Sequence, residues 1–229
     1  MNAAETRFAI YFVPAAESEL YRFGAAVLGY DAYSGRDMPF VATAPRDWAD
    51  TIRAPRVYGF HATLKPPFRS PADTARSELE ATFDDFARSQ SAIDVGLLDV
   101  RVLGSFIALV PAAPCPTLDR LASACVQHFD RFRAPMNEQE RARRLAASLT
   151  ERQVSNLDRW GYPYVVDDFR FHMTLTGPLA ADDRGRALAW LKAEFASRPA
   201  AQDLVLDRLV IAHQPGGAFR IIRSAQLQA

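Results

Sequence analysis

The clearest pattern along the chain is a short apolar run closed by proline, which occurs twice. Phe8-Ala9-Ile10-Tyr11-Phe12-Val13-Pro14 is one copy and Phe106-Ile107-Ala108-Leu109-Val110-Pro111 the other. Both read as β-strands. A stretch with apolar residues at helical spacing follows each, at about 17–29 and about 117–133, the second marked by Leu118, Leu121, Val126 and Phe129. Further along, amphipathic helices are expected at about 72–88 and 181–196, and apolar strands at about 95–103 and 204–212. A last strand follows a glycine turn in each half. It begins after Gly104-Ser105 in the first half and after Pro215-Gly216-Gly217 in the second, where Phe219-Arg220-Ile221-Ile222 closes the pattern.

Within this frame one ten-residue segment is repeated. Residues 58–67 read Tyr-Gly-Phe-His-Ala-Thr-Leu-Lys-Pro-Pro, and residues 169–178 read Phe-Arg-Phe-His-Met-Thr-Leu-Thr-Gly-Pro. Without gaps, Phe, His, Thr, Leu and the final Pro coincide, and an aromatic opens both. Such self-similarity is the mark of an internal duplication. The expected architecture is α+β: a bilobal, internally duplicated fold with two mainly antiparallel sheets, helices outside and a central cleft. The first lobe spans 1–104 and the second 105–229, with strand 106–111 blurring the boundary. The alternation is too irregular for a Rossmann sheet, and there is no Gly-x-Gly-x-x-Gly, no Walker loop and no nucleophile elbow.

Strand parity turns the repeat into chemistry. Successive side chains of a strand face opposite ways. Phe60, Ala62 and Leu64, like Phe171, Met173 and Leu175, therefore form core faces. The opposite faces carry Gly59, His61, Thr63 and Lys65 in the first segment, and Arg170, His172, Thr174 and Thr176 in the second. Two such faces lining one cleft would offer two imidazoles, three hydroxyls, an ammonium and a guanidinium without a carboxylate, a site for an anion. Imidazoles titrate near neutrality, so His61 and His172 are the expected acid–base pair. Thr63 and Thr174 are placed to hold phosphate oxygens. Lys65, Arg170 and Thr176 are further substrate contacts on parity, and Tyr11 on the adjacent strand either flanks the cleft or packs in the core. Two histidines without a nearby Asp, Glu or Cys make a poor ligand set, so no metal and no cofactor is expected. A lone His-x-Thr means little, but two of the chain's four histidines carry one, roughly a 1% coincidence.

Two segments stand outside the repeat. Residues 30–57 are proline-dotted and read as a long connection. Residues 136–160 read as helical and basic, with Arg141, Arg143, Arg144, Arg152 and Arg159, and run into Trp160-Gly161-Tyr162-Pro163-Tyr164. A solvated helix face is the plainer reading of those arginines, and a lid or binding loop the sharper one.

Composition narrows the ligand. Twenty-seven basic residues balance twenty-seven acidic ones, and the pI is about 6.9. A grip on long nucleic acid needs a basic surplus, so a small phosphorylated substrate fits better. Cys115 and Cys125 read as packed thiols. No run is long enough to span a membrane, and the first residues lack the zones of a signal peptide, so a cytoplasmic protein is expected. Nothing in the pattern fixes an oligomeric state.

The pair His61-x-Thr63 and His172-x-Thr174 resembles the two-histidine (2H) phosphoesterase superfamily. That resemblance implies a bilobal duplicated α/β fold with both His-Φ-Thr/Ser motifs facing a central cleft, working without metal. The longer phrases Tyr58-Gly-Phe-His-Ala-Thr-Leu-Lys, Phe129-Asp-Arg-Phe-Arg-Ala-Pro, Trp160-Gly-Tyr-Pro-Tyr-Val and Phe169-Arg-Phe-His-Met-Thr-Leu-Thr-Gly resemble a bacterial branch encoded in phosphonate-utilisation operons. It implies opening of a ribosyl cyclic phosphate in phosphonate catabolism. The alternatives are an RNA-type 2′,3′-cyclic phosphodiesterase, with Trp160 or Tyr162 stacking on the base, and a nucleotide- or RNA-binding module without turnover.

Overall fold

A computed structural model of the chain describes residues 6–71 and 73–229. The leader reading of residues 1–5, and the expected helix start at 72, lie outside the described residues. In chain order the elements are β1 (Arg7–Phe12), α1 (Glu19–Leu28), β2 (Tyr30–Asp31), β3 (Arg36–Asp37), α2 (Trp48–Arg56), β4 (Ala62–Phe68), α3 (Arg76–Arg88), β5 (Ile93–Leu103) and β6 (Phe106–Pro111). There follow α4 (Pro116–His128), α5 (Glu138–Leu145), α6 (Glu151–Trp160), β7 (Met173–Thr174), α7 (Ala181–Ala196), β8 (Asp203–Leu206), β9 (Arg208–Gln214) and β10 (Arg220–Gln226).

Eight strands form one antiparallel sheet in the order β10-β9-β1-β4-β7-β6-β5-β8. The two expected sheets are its halves, joined edge to edge by a single pair, Ala62↔Met173. These two residues occupy the same place in the repeated segment, so the pair lies on a pseudo-two-fold axis. The register on either side obeys it. Tyr11 faces Thr63 and Phe12 faces Ala62 in one half; Ala108 faces Thr174 and Leu109 faces Met173 in the other.

Strands are exchanged between the sequence halves. β5 pairs with β6, whereas β9 returns from the C-terminal part to pair with β1. The expected division at 104/105 therefore falls inside a hairpin and does not separate the halves of the sheet. Gly104, at φ 61°, supplies the positive φ of this two-residue turn and folds β6 back on β5. The strand expected at 204–212 breaks at Asp207: β8 pairs with β5, and β9 crosses to the opposite half.

The core faces hold as parity requires. Phe60, Ala62, Leu64, Met173 and Leu175 are at most 1% exposed and Phe171 6%, while His61, Thr63, His172 and Thr174 between them are only partly buried. Phe60 lies against α1 so closely that a Cβ on Gly24 would come within 2.1 Å of its ring. Gly24 thus seats the residue that precedes His61.

The connection at 30–57 contains a helix that its prolines conceal. Trp48 and Ile52, one turn apart, are buried on the inner face of α2. Pro55 has no N–H for the Thr51 carbonyl, and that oxygen accepts instead from the Gly177 N–H at 2.8 Å. This bond ties α2 to the segment leaving the second His-x-Thr motif.

Candidate active site

Both histidines are held by the same local device. His61 Nδ1 is 2.9 Å from the Gly59 carbonyl, and His172 Nδ1 is 2.8 Å from the Arg170 carbonyl. A carbonyl oxygen only accepts, so each Nδ1 carries the proton and each Nε2 is left with its lone pair. The bond spans two residues back along the chain and requires a bend before the strand. In the first copy the bend falls on Gly59, at φ 71°, where any Cβ would also strike Ala32 Cβ at 2.8 Å. Glycine is required there on both counts.

The two copies then diverge. The Thr63 hydroxyl donates to His61 Nε2 across 3.1 Å. Tyr11 stacks on His61 with ring centroids 3.8 Å apart and planes at 26°. Its counterpart across the axis is Ala108, which leaves His172 flanked by Phe106 at 5.7 Å. Burial pulls the His61 pKa down to about 4, the Gly59 hydrogen bond opposing and the nearby His172 charge adding to the fall. Burial also lowers His172, opposed by the bond to the Arg170 carbonyl. Both are neutral bases at pH 7 in the free protein.

An aromatic wall completes the first side. Tyr58 stacks on Phe219 at 5.4 Å, and Phe219 lies 6.1 Å from Tyr11. The Tyr11 hydroxyl is buried without a hydrogen-bond partner, and burial raises its pKa well above the ordinary value.

The remaining expected contacts are dispersed. Lys65 does not share the His61 face: β4 carries one extra residue, Leu64, between the pairs Tyr11↔Thr63 and Ile10↔Lys65. This bulge reverses the alternation. The Lys65 ammonium is buried at 1% exposure, 3.0 Å from the Val126 carbonyl and 3.1 Å from Asp130 Oδ1. Thr176 is fully buried, and its hydroxyl accepts from the Ile107 N–H at 2.9 Å, which fastens β6 after β7 has ended. Arg170 is exposed and contributes its carbonyl to His172. Among the described residues no group of three or more His, Cys, Asp or Glu is placed to hold a metal ion.

The basic segment is divided between two roles. Arg141 makes a bidentate clip to Asp158, at 2.7 and 3.0 Å, joining α5 to α6. Arg152 does the same to Asp168 at 2.8 and 3.0 Å. Arg143 and Arg144 instead line a cavity of about 440 Å³ with Arg7, Arg69 and Arg133. The sequence pattern offered no sign that Arg7, Arg69 and Arg133 would meet, since they come from segments far apart in the chain.

Residues 63–220 match the family described as "Protein of unknown function (DUF1045)". Among curated proteins the chain is similar to the ribose 1,5-bisphosphate phosphokinase PhnN of Janthinobacterium sp. (strain Marseille), 39% identical across 93% of this chain and 49% of that protein. A second protein of the same name, from Laribacter hongkongensis (strain HLHK9), is 31% identical across 95% of this chain and 51% of its own length. The chain thus spans about half the length of the curated relatives it matches. Among solved structures it is similar to E. coli LigT complexed with 3′-AMP, at 13% identity, 98% and 99% coverage and a TM-score of 0.41.

Proposed function

The chain belongs to this family of unassigned function, and from that premise we propose that it is a two-histidine phosphoesterase that opens a small cyclic phosphodiester of ribose without a metal. The observation that carries the reading is the duplicated tautomer lock. Two rings related by a pseudo-two-fold axis each give Nδ1–H to a carbonyl two residues back, leaving two Nε2 atoms as proton carriers for one substrate.

The asymmetry of the pair suggests their roles. His61, more strongly depressed and paired to the Thr63 hydroxyl, is the base: its Nε2 takes a proton from the attacking water as the new P–O bond forms. His172 is less buried and acquires a proton when the phosphate anion enters, since a nearby negative charge favours imidazolium. It then protonates the ring oxygen as the P–O bond to the sugar breaks. Water and diester together become a hydroxyl and a phosphomonoester. Thr63, its hydroxyl turned from His61 Nε2 to the phosphate, and Thr174 hold the non-bridging oxygens as charge builds on them.

The ribosyl class draws on the relatives' name, ribose 1,5-bisphosphate phosphokinase. That name supplies a chemical context and not the reaction, because the present sequence has no Walker loop. Trp160 and Tyr162, the expected stacking rings, each have an arginine near one face, Arg159 at 4.6 Å and Arg144 at 5.4 Å.

The test is turnover on ribosyl cyclic phosphate, nucleoside 2′,3′-cyclic phosphates and an acyclic diester, with EDTA present. Wild type should open the ribosyl ring in EDTA, and His61→Ala and His172→Ala should not. Absence of turnover on every cyclic diester, or its abolition by EDTA, overturns the proposal.

A further inference from the structure

The cavity lined by Arg7, Arg69, Arg133, Arg143, Arg144 and Glu140 encloses about 440 Å³ and plays no part in the acid–base chemistry. Among the described residues its lining holds five guanidiniums and one carboxylate. Glu140 is shared, at 3.1 Å from both Arg69 and Arg144. Arg133 is engaged by Asp130 at 2.8 Å. Arg7 is held by a neutral partner, the Gln214 side-chain oxygen, 2.9 and 2.6 Å from Nε and Nη2. Among the described residues Arg143 makes no ion pair, and the Arg144 Nε is buried without a hydrogen-bond partner. A buried guanidinium N–H left unpaired is costly and calls for an acceptor.

From Arg7 in the cavity wall a run of ring contacts leads toward His61. On β1, Arg7 and Tyr11 point to the same face four residues apart, about 13 Å along a strand, a gap that the arginine side chain shortens. Phe219 bridges them, with the Arg7 guanidinium 5.5 Å from its ring and Tyr11 at 6.1 Å. Above, Arg144 lies over Tyr162. Tyr11 in turn stacks on His61 with ring centroids 3.8 Å apart.

We propose that this cavity is a subsite for a second phosphoryl group on the same substrate, a terminal phosphomonoester dianion about one sugar length from the cyclic diester. The inference rests on the phosphoesterase reading and narrows it to doubly phosphorylated sugars. Guanidiniums in a fork suit a phosphomonoester, whose three oxygens accept from several N–H groups together.

The experiment compares a ribosyl cyclic phosphate with and without a terminal 5-phosphate in wild type, Arg143→Gln, Arg144→Gln and Arg144→Lys. Wild type should favour the doubly phosphorylated compound by about 10- to 100-fold in kcat/KM, chiefly through KM. Arg143→Gln and Arg144→Gln should erase most of that preference while leaving the singly phosphorylated compound nearly unchanged; Arg144→Lys should retain part of it. Equal kcat/KM for the two compounds in wild type, or an equal loss on both in the arginine variants, overturns the subsite. Calorimetric binding of ribose 5-phosphate to the His61→Ala/His172→Ala protein separates the two readings. Binding that Arg144→Gln abolishes upholds the subsite even if no cyclic diester is turned over. Failure to bind at millimolar concentration counts against it, whatever the catalytic result.

Discussion

Lowering the pH should destabilise this protein through His61 at higher pH than through Asp130. In the folded chain the ring is neutral, with its Nδ1 proton given to the Gly59 carbonyl, and burial has brought its pKa to about 4 from the ordinary 6.5. The unfolded chain therefore binds more protons between those values. Stability from this residue is complete above pH 6.5 and is lost as the pH falls toward 4. Each pH unit crossed between the two values costs roughly 1.4 kcal/mol, so the loss is about 2 kcal/mol at pH 5 and about 3 kcal/mol at pH 4. His172 adds to it with the same sign. Burial pushes the Asp130 carboxyl up, but the hydrogen bonds and charges of Arg133 and Lys65 outweigh it, so its pKa sits below the ordinary value and it responds at lower pH. Urea unfolding of wild type and His61→Gln at pH 8, 6, 5 and 4 isolates the histidine, because the shared carboxylates cancel in the difference. The gap between the two proteins should shift in the variant's favour by about 2 kcal/mol between pH 8 and 5. Parallel curves would refute the desolvated, neutral His61.

Other substitutions separate the site from its supports. Lys65→Ala should cost about 3 kcal/mol in urea unfolding, the low end for a broken buried pair because Asp130 keeps Arg133. It should leave kcat/KM within about twofold, and a larger loss would return Lys65 to the cleft. Tyr11→Phe removes a buried hydroxyl that has no partner, so the protein should gain about 1 kcal/mol in thermal unfolding. Because that hydroxyl is buried, kcat/KM should stay within about twofold, and a tenfold loss would show that substrate reaches it. Gly24→Ala forces the Phe60 ring off its seat and should cost about 1–3 kcal/mol despite alanine's better helix propensity. Calorimetry finding the alanine variant as stable as wild type would contradict the contact.

The features legible in the sequence are those that depend on local period. Phe60 to Leu64 and Phe171 to Leu175 alternate as strands should, because both faces were fixed by residue type. The duplicated segment placed His61 and His172 on matching positions, and the chain brings those positions together across the Ala62↔Met173 pair. Parity failed where the backbone leaves the regular repeat, at Lys65 beyond a bulge and at Thr176 beyond the end of β7. Partner choice between strands is non-local, so nothing in the run 204–212 revealed that its two pieces would join opposite halves of the sheet. The α2 prolines hid a helix whose buried face consists of few residues. The arginine cavity was illegible for the same non-local reason, since Arg7, Arg133 and Arg144 become neighbours only when β1, the turn after α4 and α5 close on one another.

The central claim is that the two imidazoles act as one acid–base unit. The direct test is kcat/KM on the cyclic diester for His61→Ala, His172→Ala and the double variant. Groups that serve a single transition state are strongly non-additive, so each single substitution should lose nearly as much as the double, about 10³-fold or more. Losses that multiply, or a single variant that keeps wild-type turnover, would contradict it.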